Sequence, residues 1–228
     1  MLITELIQWP CELSTQTKQQ LLSIATMSNN IHKLGVPPVS SQFEGVAFII
    51  KGVGYLTMLS HDFKSSQGII VGQGDWLGAV SVGDFDTSMI KAEEIEPIQL
   101  IYFDRQKVER LALDNNEIYK WLFAIAKAFS KKWANHFSYQ SCNRSLKVLY
   151  TLTELASYSL LVDKEDPCIR ATQYQIGEIS GVSRSRVSEI IQSYKQLNIL
   201  KTSRECIHVN QYQHLYTKAK ACGYKPIC

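Results

Sequence analysis

Residues 172–200 constrain this chain more than any other stretch, because their capping residues and apolar spacing specify two short helices meeting at a tight turn. Thr172 and Gln175 have the spacing of a capping box, which predicts a helix beginning at about Gln173. Ile176 and Ile179 form its apolar stripe, and Gly181 stands where a helix ends on a left-handed residue. Ser183 is placed to cap a second helix that turns Val187, Ile190, Ile191, Tyr194 and Leu197 inward. Arg184, Ser185, Ser188, Glu189 and Gln192 are left on the outer face. A helix pinned by its neighbour, with a basic, hydroxyl-rich first turn, is what a helix-turn-helix places in the DNA major groove. The stretch predicts DNA binding.

Charge supports that expectation through its distribution. Residues 139–228 hold 12 Lys and Arg against 7 Asp and Glu, a net of +5, whereas residues 1–138 hold 12 against 14, a net of −2. The basic excess falls on the part that carries the helix pair, as polyanion binding requires, although a modest surplus is common on soluble domains. With 228 residues, 45% of them hydrophobic, the chain can bury one large core or two modest ones. The first ten residues lack a basic segment followed by a long apolar run, so no signal peptide is expected. No apolar run approaches the ~20 residues of a membrane helix, so the expected location is the cytoplasm, without a membrane partner. There the six cysteines (Cys11, Cys142, Cys168, Cys206, Cys222 and Cys228) are expected to be reduced packing residues, since none forms a Cys-x-x-Cys pair.

Along the chain, residues 13–34 are polar with Leu21, Leu22 and Ile24, which predicts one or two short helices, broken at 36–40 by Pro37 and Pro38. Short β-rich runs at 46–50, 54–59, 68–71 and 97–103, separated by turns, suggest an antiparallel barrel or jelly roll. The period then changes to 3.6: Ile118, Trp121, Leu122, Ile125, Phe129, Trp133 and Phe137 make a broad apolar face on a helix of roughly 23 residues, ~35 Å long. That face is too wide for one neighbour. Ile118, Trp121, Ile125 and Ala128 are assigned to a symmetry mate, and Leu122, Phe129, Trp133 and Phe137 to the chain's own domains, the alternative being a helix packed wholly within its monomer. A further helix over 144–161 leads into the helix pair, and possible strands at 199–202 and 206–209 would form the wing of a winged helix. The expected class is α+β, with a β-roll over 1–113, a dimerisation helix over 114–138 and a winged helix-turn-helix over 139–228.

This order resembles the family of the cyclic-AMP receptor protein and the fumarate-nitrate regulator (Crp/Fnr). The resemblance is strongest over 171–209, where Thr172, Ile176, Gly177, Gly181, Ser183, Arg184, Val187 and Ser188 fit the family pattern. In the β region it rests on 49–52 and 74–78, turn-marked runs containing Gly52, Gly74, Asp75, Trp76 and Gly78. It implies a dimeric transcription regulator acting on an inverted repeat of double-stranded DNA, with RNA polymerase as a further partner and no catalytic residues. Cyclic-nucleotide binders of the family follow the glycine matching Gly78 with a glutamate for the ribose hydroxyl, and later carry an arginine for the phosphate. Here Ala79 replaces the glutamate, and residues 83–91 hold Asp84, Asp86 and Lys91 but no arginine. An anionic phosphate would meet two carboxylates and no bidentate cation, so cyclic AMP is not expected to bind in the family's manner. An Fe–S cluster needs about four thiolates, and the sensor part offers only Cys11. Haem stays open, with His32, His61 and Cys11 as candidate ligands against ordinary surface or core roles. The effector is left unknown, and no metal site is assigned.

By position in the motif, Arg184, Ser185, Ser188 and Glu189 are the candidate base readers. Arg suits guanine O6 and N7, and Glu suits the cytosine amino group. Ser185 and Glu189 stand where the family often has a glutamate and an arginine, which implies a different half-site. Glu189 has a second reading, an intrahelical pair with Arg186. Thr172, Gln173, Ser183, Arg186, Lys201 and Arg204 are candidates for phosphate contacts, which position a protein without reading sequence. Lys201 and Arg204 would otherwise simply solubilise a hairpin. Two other classes remain in view: a constitutive DNA-binding protein with a vestigial sensor, and a jelly-roll enzyme or ligand-binding protein. The second would need clustered His and carboxylate ligands, and only His32 and His61 precede the central helix.

Overall fold

Residues 3–29, 44–59, 65–82, 90–139, 141–162 and 167–223 are described in the computed structural model of the chain. They fall into two compact units, Met1–Gly54 with Val71–Lys131, and Tyr55–Ile70 with Lys132–Cys228. This division differs from the expected boundaries at 113 and 138. The central helix is shared between the units, and the Tyr55–Ile70 segment belongs with the C-terminal part. The proline break at 36–40, His32, His61, Asp84 and Asp86 lie outside the described residues, as does nearly all of the 163–167 loop. Lys91, at the edge of that region, is paired with Glu93.

The first unit opens with α1 (Ile3–Leu6) and α2 (Thr15–Ile24), followed by β1 (Ala25–Ser28), β2 (Gly45–Leu59), β3 (Ser65–Gly72) and β4 (Trp76–Leu77). A 3-10 turn (Ala79–Ser81), β5 (Ile90–Asp104), α3 (Arg105–Asp114) and α4 (Glu117–Tyr139) complete it, with β2, β3 and α4 running on into the second unit. The sheet has the order β1-β5-β2-β3, with β4 on β2. Two of these strands differ from expectation. The runs at 46–50 and 54–59 are a single strand, β2, because Gly52 bends it where a turn was expected. Gly52 has φ +92°, and a Cβ there would lie 2.2 Å from the Pro97 carbonyl oxygen, so only glycine lets β2 bend this closely against β5. The polar segment Ala25–Ser28, expected in a helix, is a strand because it pairs antiparallel with β5, Ala25 opposite Phe103 and Ser28 opposite Leu100. Tertiary pairing overrides the local pattern there.

The core of this unit is aromatic. Trp121 of α4 meets Trp76 edge-on at 5.5 Å and 89°, and Phe103 at 5.3 Å and 70°. Phe48 and Trp9 flank Trp76 at 4.9 and 5.9 Å, and the Trp76 indole N–H donates to the Gln8 carbonyl at 2.7 Å. Edge-to-face rings at these separations add to their area burial. This packing corrects the expected dimer stripe. Ile118, Trp121 and Ile125 are each 0% exposed within one chain, so they cannot face a second copy. Ala128, the fourth member, is exposed, and Phe137, expected to pack inward, is 63% exposed.

The start of α4 is fastened to α2 by one carboxylate. Glu117 accepts from the Ser14 hydroxyl at 2.6 Å and backbone N–H at 3.0 Å, and from the Thr17 hydroxyl. Ser14 in turn caps α2 by accepting from the Thr17 N–H at 3.2 Å. These donors favour the ionised form and lower the Glu117 pKa from the ordinary 4.5 to about 2. A lowered folded-state pKa stabilises above the unfolded value and is lost as pH falls through the folded one. Replacing Glu117 with Gln should therefore lower the melting temperature at neutral pH and flatten its fall between pH 4.5 and about 2, as checked by thermal denaturation across that range.

Candidate nucleic-acid interface

The second unit is built on α5 (Arg144–Val162), β6 (Cys168–Ile169), α6 (Gln173–Ser180), α7 (Arg184–Gln196), β7 (Leu200–Thr202), β8 (Ile207–Val209) and α8 (Tyr212–Ala221). The capping box that opens α6 is present: Thr172 Oγ1 accepts from the Gln175 N–H at 3.1 Å, and Gln175 Oε1 accepts from the Thr172 N–H at 2.9 Å. Gly181 ends the helix in the left-handed region. The turn into α7 is closed by the Val182 N–H donating to the Gly177 carbonyl at 3.1 Å. At Gly177 a Cβ would lie 2.8 Å from the Val182 carbonyl oxygen, so the absence of a side chain sets how closely the two helices meet.

Helix α7 turns Val187, Ile190, Ile191 and Tyr194 into the core, all at 5% exposure or less. Leu197, expected with them, is 61% exposed because the helix has ended: Leu197 is its C-cap, and Asn198 turns the chain at φ 56° toward β7. Ser183 stands at the N-cap position but makes no side-chain cap bond, its Oγ lying 3.3 Å from Ser185 Oγ. Arg184, Ser185, Ser188, Glu189 and Gln192 are all exposed on the outer face, with Thr172 and Ser183 exposed beside them and Gln173 partly so. Among the described residues Arg184 has no hydrogen-bond or ionic partner, and the first turn of α7 holds no acidic residue. A cation there opposes the helix dipole unless an anion arrives. Glu189 takes the intrahelical reading in the free protein, accepting from Arg186 at 2.5 Å.

The wing is a hairpin on a three-stranded sheet of order β6-β8-β7, with Lys201 opposite His208 and Thr202 opposite Ile207. Its tip, 203–206, is closed by the Ser203 N–H donating to the Cys206 carbonyl at 2.8 Å, which leaves Arg204 exposed at the end. Three features here were not read from the sequence. Cys168 and Cys206 form a disulfide, which corrects the expectation that they are separate reduced thiols. Helix α8 follows the wing and buries Leu215 and Ala219, whose spacing of four was the available signal. Tyr55 donates to Glu178 of α6 at 2.6 Å, while Tyr174 donates to its other oxygen at 3.1 Å, so a residue from the β2–β3 hairpin fixes the first helix of the pair.

No protein-family model matches the chain, and no curated protein sequence matches it. Solved structures do. FixK2 from Bradyrhizobium japonicum is similar at a TM-score of 0.63 with 17% identity, over 76% of this chain and 86% of that one. A transcriptional regulator of the Crp/Fnr family from Eubacterium rectale is similar at 0.65 with 11% identity, over 91% and 95%. The c-di-GMP-responsive global regulator CLP of Xanthomonas campestris is similar at 0.64 with 13% identity, over 86% and 99%. The chain therefore shares the fold of these proteins, two of which are regulators, one of them of the Crp/Fnr family. Among the described residues no helix is long and apolar enough to cross a membrane, and no cluster of three or more His, Cys, Asp or Glu is placed to hold a metal ion.

Replacing a mid-helix glycine with alanine ordinarily gains up to ~1 kcal/mol of helix stability. At Gly177 the contact with a backbone oxygen reverses the sign, since overpacking costs ~1–3 kcal/mol. Gly177→Ala should lower the denaturant midpoint of unfolding.

Proposed function

We propose that this protein is a homodimeric, sequence-specific DNA-binding transcription regulator of the Crp/Fnr type that does not use cyclic AMP as its effector. The observation that carries the reading is the outer face of α7, where Arg184, Ser185, Ser188 and Glu189 are exposed at the start of a 13-residue helix and Arg184 has no partner among the described residues. In this reading Arg184 pairs with a guanine edge, and Glu189 leaves Arg186 to accept from a cytosine amino group while Arg186 turns to a phosphate. Thr172, Gln173, Ser183, Lys201 and Arg204 contact the flanking backbone. RNA polymerase, which the resemblance implies as a partner, and a cytoplasmic location go with this reading. A dimer would place two such helices in successive major grooves of an inverted repeat, about 34 Å apart.

The dimer seam in this reading is the face of α4 that carries its exposed aromatic residues, with Ala126, which packs against the core, and half-buried Trp133 along its edge. Tyr119, Phe123, Ala126, Ser130, Trp133 and Phe137 recur at alternating spacings of four and three, the pattern of a two-stranded coiled coil. Tyr119, Phe123 and Phe137 are 57%, 71% and 63% exposed in one chain. A second copy of the same helix matches that face, because a two-fold seam is self-complementary.

Support for cyclic-AMP independence comes from the 3-10 turn. Ala79 is packed into the aromatic core at 9% exposure, and Ser81 Oγ is committed to the Gly45 and Gly78 carbonyls at 2.7 Å each. Titration calorimetry with cyclic AMP should register no binding at micromolar concentration, and a saturable micromolar isotherm would contradict this.

Phe123→Glu should dissociate the dimer in sedimentation without lowering the folded content. Ile125→Glu should instead unfold the first unit, because it places a charge in a fully buried site. Arg184→Ala should cost ~1–3 kcal/mol on the specific DNA site and little on random duplex, as read from binding titrations on both. An unchanged ratio of specific to random affinity would refute α7 as the reading helix.

A further inference from the structure

The wing carries a covalent bond that none of the DNA-contact assignments uses. Cys206 closes the 203–206 turn that presents Arg204, and Cys168 belongs to β6, the strand across β8 from β7. The backbone of Cys168 is itself held, its N–H donating to Ser159 Oγ of α5 at 2.8 Å. The disulfide therefore fastens the wing tip, through β6, to the long helix α5. The segment enclosed by its ends, 169–205, contains α6, α7 and β7, the whole of the candidate DNA surface.

Among the described residues the tip's other ties are few. Strands β7 and β8 have three residues each, and the turn beyond them is closed by donations from the Ser203 N–H and hydroxyl to the Cys206 carbonyl. Hairpins this short are marginal alone. Both cysteines are partly exposed, and Cys11, Cys142 and Cys222 are not in disulfides. Accessible disulfides in working sites, rather than fully buried ones, are those that exchange readily.

We propose that Cys168 and Cys206 are a thiol–disulfide exchange site that sets the order of the wing, so that DNA affinity follows the balance of small thiols and disulfides around the protein. The inference rests on the DNA-binding reading for its consequence, but not for the chemistry. In the oxidising direction one cysteine thiolate attacks a low-molecular-weight disulfide, releasing one small thiolate and leaving a mixed disulfide. The second cysteine thiolate attacks the protein-bound sulfur and expels the other. Two electrons pass from the protein to the small disulfide, and the two cysteine protons end on the two released thiols. The bridged wing holds Arg204 in place before DNA arrives; the open wing must be ordered on binding, which weakens it.

The test uses the full chain equilibrated in glutathione buffers of varied ratio. Alkylation and peptide mass mapping follow the 168–206 bridge, limited trypsin digestion follows cleavage after Arg204, and titration follows affinity for a selected DNA site. The bridge should form and open reversibly. Cleavage after Arg204 should be at least several-fold slower in the bridged form, and DNA binding several-fold tighter. Cys206→Ser should behave as the open form at every ratio, and Cys142→Ser should follow the wild type. A pair that stays unbridged in oxidised glutathione, or equal cleavage in the two forms, would overturn the proposal. Equal DNA affinity alongside unequal cleavage would overturn its regulatory half. Unequal cleavage with no DNA binding in either form would support the wing chemistry and sink the DNA reading instead.

Discussion

The edge-on contact of Trp121 with Trp76 and Phe103 decides how α4 is used. An indole buried at 0% exposure between two other rings fixes the rotation of its helix, and α4 is one helix of 23 residues. Once Ile118, Trp121 and Ile125 are committed inward, helical geometry turns Tyr119, Phe123, Ser130 and Phe137 to another side, where they are exposed. The same core takes in Ala79 of the 3-10 turn. Replacing Trp121 with alanine would remove ~3–5 kcal/mol by the usual cost of emptying such a site.

The candidate DNA surface follows a different logic, in which local chemistry does most of the shaping. Thr172 and Gln175 start α6, and Gly181 stops it. Gly177 lets the turn close, and Val187, Ile190 and Ile191 hold α7 by its inner face. What remains outside is a polar row with an arginine at a helix start that has no partner among the described residues, a charge opposed to the helix dipole. The disulfide at 168–206 encloses that surface, so the most local part of the fold also carries its one long-range covalent tie among the described residues.

Legibility in the sequence tracked that difference. The caps of α6, the core face of α7 and the 23-residue central helix are written in residues at most four apart, and the wing hairpin in two short runs around a turn; the structure has each of them. Ile118, Trp121 and Ile125 pack in the chain's own core, as Leu122 was expected to, because periodicity gives the width of an apolar stripe and not the identity of its neighbour. Strand β1 was missed because its pairing partner lies more than 70 residues away, at 100–103. Gly52 reads as a turn in the sequence because a positive φ has the same signal in a bent strand. The Cys168–Cys206 bond was invisible because pairing depends on a sheet that brings together residues 38 apart. Leu197 misled because it continues the apolar period one residue beyond the helix.

Selection from a random duplex library followed by guanine methylation interference on the enriched sequence tests the central claim most directly, since it reports which grooves the protein reads. One enriched inverted repeat is expected, with interference at guanine N7 in two symmetric positions in the major groove separated by about one helical turn, and loss of that pattern with Arg184→Ala. No enriched sequence, or a pattern that survives Arg184→Ala unchanged, would contradict it.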